Sequence, residues 1–174
     1  RPGSQMGQIG VVSQGAIAIE KGLIIGVGTQ TEVCAKWSGK RIYHKGTLTP
    51  GLVDPHSHPV VGGSRGHEFQ MRARGATYQE IHAAGGGIWS TVQATRQASD
   101  EQLRETTAER LRRMLTHGTT TAEVKSGYGL STAEELRHLR IYQELKGGLP
   151  MELVLTFMGA HSLPQEFTGR QADY

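Results

Sequence analysis

Two of the chain's eight histidines, His56 and His58, stand one residue apart at the end of Pro50-Gly51-Leu52-Val53-Asp54-Pro55. Side chains alternate between faces along a strand, so residues 56 and 58 share a face. Two imidazoles projecting together from a strand end suit one divalent cation, and imidazole serves Zn and Fe alike. A pair of surface histidines beside a turn is the competing reading. The hydrophobic run before the pair and the glycine-rich segment after it argue against that alternative. Asp54 lies one step deeper on the same face. It reads either as a carboxylate that orients a ligand imidazole or as an interior hydrogen-bonding group.

The elements that must hold this pair follow a repeated strand–helix pattern from residue 50 onward. A first strand over residues 52–56 predicts a buried position for the segment before the histidines. A Gly-containing excursion follows, with a helix near residues 78–84 announced by Thr77 and Glu80 at capping-box spacing. Ser99 with Gln102 caps a helix running to about residue 117, with Leu103, Leu111, Met114 and Leu115 in its apolar stripe. Residues 119–125 are β-branched and read as a second strand. Ser131 with Glu134 opens the next helix, carrying Leu136, Leu139, Tyr142 and Leu145. A third strand spans residues 152–158. Strands separated by helices pair in parallel, and chemistry then collects at their C-terminal ends. His56 and His58 end the first, Lys125-Ser126-Gly127-Tyr128 the second and Gly159-Ala160-His161 the third.

Residues 9–48 read as β structure. Two apolar runs flank Lys21-Gly22 as a hairpin, and residues 40–44 form a third short run. The predicted organisation is a small β domain over 1–48 and an α/β unit over 49–174. An eight-fold barrel needs about 250 residues, so 174 residues accommodate only three of its units. The expectation is the N-terminal part of a larger enzyme, trimmed or led by residues before Arg1.

Composition narrows the class further. Hydrophobic residues make up 36% and charged residues 20% with net charge +3, a globular balance with no basic run to attract nucleic acid. Cys34 has no second cysteine to pair with, which fits a reducing compartment. No apolar stretch reaches membrane-spanning length and no signal peptide opens the chain.

The segment 50–58 resembles the first-strand signature of the amidohydrolase superfamily. Further segments resemble one of its families, the imidazolonepropionases of histidine degradation: Gly63-Ser64-Arg65-Gly66-His67-Glu68-Phe69, Gly75-Ala76-Thr77-Tyr78, Ala84-Gly85-Gly86-Gly87-Ile88, Lys125-Ser126-Gly127-Tyr128-Gly129-Leu130 and Gly159-Ala160-His161. The resemblance implies a TIM-type (β/α)8 metal-dependent hydrolase barrel, here its first three units, behind a β-sandwich-like domain. It implies that one Zn or Fe ion and water open the cyclic amide of 4-imidazolone-5-propanoate to N-formimidoyl-L-glutamate. On the same ground His56 and His58 are metal ligands, and Arg65, Tyr128 and His161 contact substrate, with His161 also catalytic. The remaining ligands, a His and an Asp, are expected beyond Tyr174, and a cytoplasmic homodimer is expected of the whole protein.

Each role has a bland competitor. Arg65 offers a fork for the propanoate carboxylate, or a salt bridge to Glu68. Tyr128 stands between glycines as a hydroxyl donor, or as a packed aromatic. His161 moves a proton, or is a satisfied core histidine. Lys125 lies on the second strand, where it pairs with Glu123 or Glu68 rather than bridging metals. The competing functions are another cyclic-amide hydrolase or deaminase, of hydantoin, dihydroorotate or guanine type, and a non-catalytic truncated domain.

Overall fold

Lys21 and Gly22 both adopt positive φ, 51° and 80°, the mirror-image turn whose twist matches a tight hairpin. They join β1 (Gly15–Glu20) to β2 (Leu23–Thr29) as an antiparallel pair. The computed structural model describes residues 3–174, and contacts divide the chain into a unit ending at Leu48 and a unit Thr49–Tyr174. After β2, the Thr29 hydroxyl accepts from the Glu32 N–H at 3.3 Å while the Glu32 carboxylate accepts from the Thr29 N–H at 2.9 Å. This reciprocal cap starts α1 (Gln30–Lys36). The all-β expectation for residues 9–48 is therefore corrected: a Thr-x-x-Glu signal directs the chain into a helix. The third strand expected over 40–44 is absent too, because no described strand pairs with that segment and the sheet stays two-stranded.

In the second unit, β3 (Leu52–Ser57) is followed by α2 (Gly66–Ala73), α3 (Tyr78–Ala83), α4 (Ile88–Gln97) and α5 (Asp100–Thr116). Then come β4 (Thr119–Lys125), α6 (Thr132–Leu145) and β5 (Glu152–Thr156). The strands form one parallel sheet in the order β3-β4-β5, so this unit is α/β as expected. The two longest helices carry the caps legible in the sequence. Ser99 and Gln102 cap α5 reciprocally, and the Ser131 hydroxyl accepts from the Glu134 N–H in α6. The helices α2 and α4 were not expected. Their N-caps, Arg65 and Gly87, make no side-chain cap bond, so no local motif announces them.

One sheet face packs on helices. Ala122 and Val124 of β4 and Leu153 of β5 pack with Leu103 and Leu111 of α5 and Ile141 and Tyr142 of α6. Two expectations are corrected here. The buried face of α6 is Glu135, His138, Ile141 and Tyr142, whereas Leu136 is 49% exposed. Polar side chains occupy the positions that a purely hydrophobic reading assigns elsewhere. The strand leading to the histidine pair is not buried either: Leu52 and Val53 are 54% and 65% exposed, since β3 is the edge of the sheet.

Candidate functional site

At the C-terminal ends of the strands the side chains converge. The Nε2 atoms of His56 and His58 lie 3.3 Å apart, so the alternation of the strand does aim both rings at one point. The His58 ring stacks on His161 at 4.8 Å between centroids and meets the Tyr128 ring edge-on at 5.2 Å. Tyr128 and His161 are 5.5 Å apart. Three separate strands thus contribute to one cluster, although residues 58, 128 and 161 are far apart in sequence.

Local bonds lace these strand ends together. The Ser57 hydroxyl donates to the Glu123 carbonyl at 3.2 Å, the Ser126 N–H to the Thr156 carbonyl at 3.0 Å, and the Met158 N–H to the Ser126 hydroxyl at 2.9 Å. Behind the histidine pair, the buried Tyr142 hydroxyl accepts from the Val60 N–H and donates to the Lys125 carbonyl, joining the ends of β3 and β4. Arg110 donates to the carbonyls of Pro59 and Val61 at 2.8 and 2.7 Å. The turn that carries His58 is therefore gripped from α5 and α6.

Asp54 accepts the His56 backbone N–H at 3.0 Å. Its carboxylate fixes the strand at the first histidine rather than bonding an imidazole. Lys125 pairs with Glu123, which also accepts from the Thr156 hydroxyl at 2.7 Å. His67 is exposed on α2. Arg65 donates through Nε and an Nη to one Glu68 oxygen at 2.9 and 2.6 Å, so the salt-bridge reading of this residue is realised. Its guanidinium nonetheless borders a cavity of about 370 Å³ lined also by His58, Tyr128, Thr91 and Arg110. Two guanidinium groups beside one cavity suit an anionic ligand group.

Two buried polar atoms at this cavity have no hydrogen-bond partner, His58 Nδ1 and Thr91 Oγ1. Burial holds the protonation of His58 below its usual range, and the nearby His161 and His56 push the same way against the Ser126 backbone. His58 is therefore a neutral imidazole at neutral pH, the form that ligates a metal. The pair's spacing also fits. Two nitrogens each about 2.0–2.1 Å from a tetrahedral zinc lie about 3.3–3.4 Å apart. An imidazole–imidazole hydrogen bond has the same span. Among the described residues no three His, Cys, Asp or Glu side chains form a metal-binding group, so this chain offers a cation two ligands. Thr91 and Arg110 were not singled out in the sequence. Each sits on a helix with no motif around it, and only the fold brings it to the cavity.

The parallel sheet therefore carries paired imidazoles at its first strand end, a tyrosine after the second and a histidine after the third. No family model matches the chain. Curated relatives do. The chain is 48% identical over 95% of its length to an imidazolonepropionase of Herpetosiphon aurantiacus, covering 39% of that protein. It is 45% identical over 98% to one of Geobacillus kaustophilus, and 48% identical over its full length to one of Chloroflexus aggregans, covering 42% and 41% of them. Over nearly its whole length the chain is similar to these imidazolonepropionases, and it spans about two fifths of their length.

Proposed function

We propose that the whole protein opens the cyclic amide of 4-imidazolone-5-propanoate with water, giving N-formimidoyl-L-glutamate in histidine degradation. The observation that carries this reading is the convergence of His56, His58, Tyr128 and His161 beside the Arg65 cavity in a chain related to imidazolonepropionases. In this reading the α/β unit is the first part of a (β/α)8 barrel and the hairpin unit part of a small β-sandwich-like domain. Enzyme and substrate are cytoplasmic and the protein is a homodimer. No helix of the described residues is long and apolar enough to cross a membrane.

His56 and His58 would hold one divalent ion, Zn or Fe, with further ligands from the part of the relatives that this chain does not span. Such an ion supplies Lewis-acid polarisation of a carbonyl and acidifies water. The residues of this chain do the rest. Arg65, already oriented by Glu68, presents its remaining donors to the propanoate carboxylate. Tyr128 donates from its hydroxyl to the ring, and the Thr91 hydroxyl gains a partner when the cavity fills. His161, stacked on His58, takes or returns a proton at the ring carbonyl or nitrogen.

The test is turnover by the whole protein of imidazolone propanoate against hydantoin, dihydroorotate and guanine. Ring opening of the imidazolone with the others inert is expected. Turnover of one of the others alone would move the protein to a different amidohydrolase activity.

A further inference from the structure

We propose that Glu135 is the positioning residue for Tyr128, acting by gripping the Gly127–Leu130 loop through its backbone. This deepens the proposed function and rests on it for the role of Tyr128. Glu135 is 1% exposed. One carboxylate oxygen accepts from the Gly127 N–H at 2.5 Å, and the other from the N–H groups of Gly129 and Leu130 at 2.8 and 2.6 Å. No lysine or arginine among the described residues pairs with it. Its negative charge is met by three peptide dipoles and by the N-terminal end of α6, where it lies in the opening turns.

The other side of the loop is held as well. Arg96 donates to the carbonyls of Gly129 and Leu130 at 2.7 and 3.2 Å and pairs with Glu166. The loop needs this grip because its backbone is costly. Leu130 has φ +52°, a left-handed conformation a leucine rarely adopts. Gly127 has φ +122° and lies so close to His161 that a Cβ there would come within 2.9 Å of the histidine's own Cβ. Between these two fixed points stands Tyr128, half-buried, its ring against His58 and His161. A carboxylate can serve three N–H donors on two oxygens. An amide has one oxygen, so Glu135→Gln keeps part of the grip and turns an NH2 toward at least one backbone N–H.

The experiment compares Glu135→Gln, Tyr128→Phe and the double variant in the whole protein, with Ile141→Val as a control in the hydrophobic core, outside the cavity lining. Glu135→Gln is expected to raise KM for imidazolone propanoate about tenfold with a smaller change in kcat, as Tyr128→Phe does. The double variant should be no worse than Tyr128→Phe alone, because the two losses act through one side chain. Ile141→Val should lower Tm and leave KM unchanged. Wild-type KM in Glu135→Gln, or losses that multiply in the double variant, would overturn the proposal. A readout without turnover separates it from the proposed function. Nuclear Overhauser contacts between the Tyr128 and His161 rings, and slow amide exchange at Gly127, Gly129 and Leu130, should both weaken in Glu135→Gln. Unchanged contacts and exchange would refute the positioning role whatever the substrate is.

Discussion

Two buried carboxylates brace the two loops at the mouth of the site, and they do so differently. Glu68, 2% exposed on α2, takes the Arg65 guanidinium on one oxygen and the Gly87 N–H on the other at 2.8 Å. Glu135 on α6 takes three backbone N–H groups and no cation. The contact with Arg65 holds the Glu68 carboxyl below the usual carboxylate range, against the opposing effect of burial. A brace made of side chains can be traded, since Arg65 has donors left over for a ligand. A brace made of backbone has nothing to trade and simply fixes the chain. The site therefore combines an adaptable arginine on one side with a rigid tyrosine on the other.

The largest effect should come from removing the backbone brace. Glu135→Ala leaves three buried N–H groups without an acceptor, at about 1–3 kcal/mol each. A loss of about 3 kcal/mol or more in denaturant unfolding is expected, and a loss under about 1 kcal/mol would mean the loop satisfies itself with water. Glu68→Ala orphans one backbone N–H and frees an arginine that can turn to solvent, so a smaller loss of about 1–2 kcal/mol is expected. The sign with pH is fixed: a depressed carboxyl contributes stability above its unfolded value near 4.5, lost as pH falls through the folded value. The wild type should lose more stability between pH 5 and 3 than Glu68→Ala does, and parallel curves would contradict the ion pair.

A third contrast lies one helical turn from Glu135. His138 is fully buried with neither ring nitrogen bonded, and burial lowers its pKa from 6.5 although Glu135 and Glu134 pull upward. The unfolded chain binds that proton more readily, so stability is full above about pH 6.5 and declines below it. His138→Leu should flatten the stability profile between pH 7 and 5, and an unchanged slope would place the acid sensitivity elsewhere. The smallest effect is expected at an exposed cap. Ser99→Ala should cost about 1 kcal/mol by thermal or denaturant melting, with no change at the site.

Local signals carried much of this into the sequence. The capping motifs at Ser99 and Ser131, the β-branched run ending at Lys125 and the His-x-His spacing each act within a few residues. The reading of β4 agrees with the structure residue for residue, and the partner of Lys125 is one of the two named for it. Where no local signal exists the reading stopped. The helices α2 and α4 begin without side-chain caps, and Glu135 looks like any helix glutamate until the loop folds back on it. The Leu136 expectation failed because hydrophobicity alone cannot anticipate a buried carboxylate whose partners are backbone groups five to eight residues upstream. The exposure of Leu52 and Val53 was not legible locally, since an apolar run reads the same in the middle of a sheet as at its rim.

By itself the sequence determined which residue types could do chemistry and which elements end in them, because strand alternation and helix caps are short-range properties of the chain. The tertiary structure decided which of them meet. Parallel pairing of β3, β4 and β5 brings residues 58, 128 and 161 to rings about 5 Å apart. Burial then holds the His58 pKa down, and the fold brings three backbone N–H groups onto the Glu135 carboxylate. Those outcomes depend on desolvation and on backbone groups from distant segments, neither of which is written at any single position.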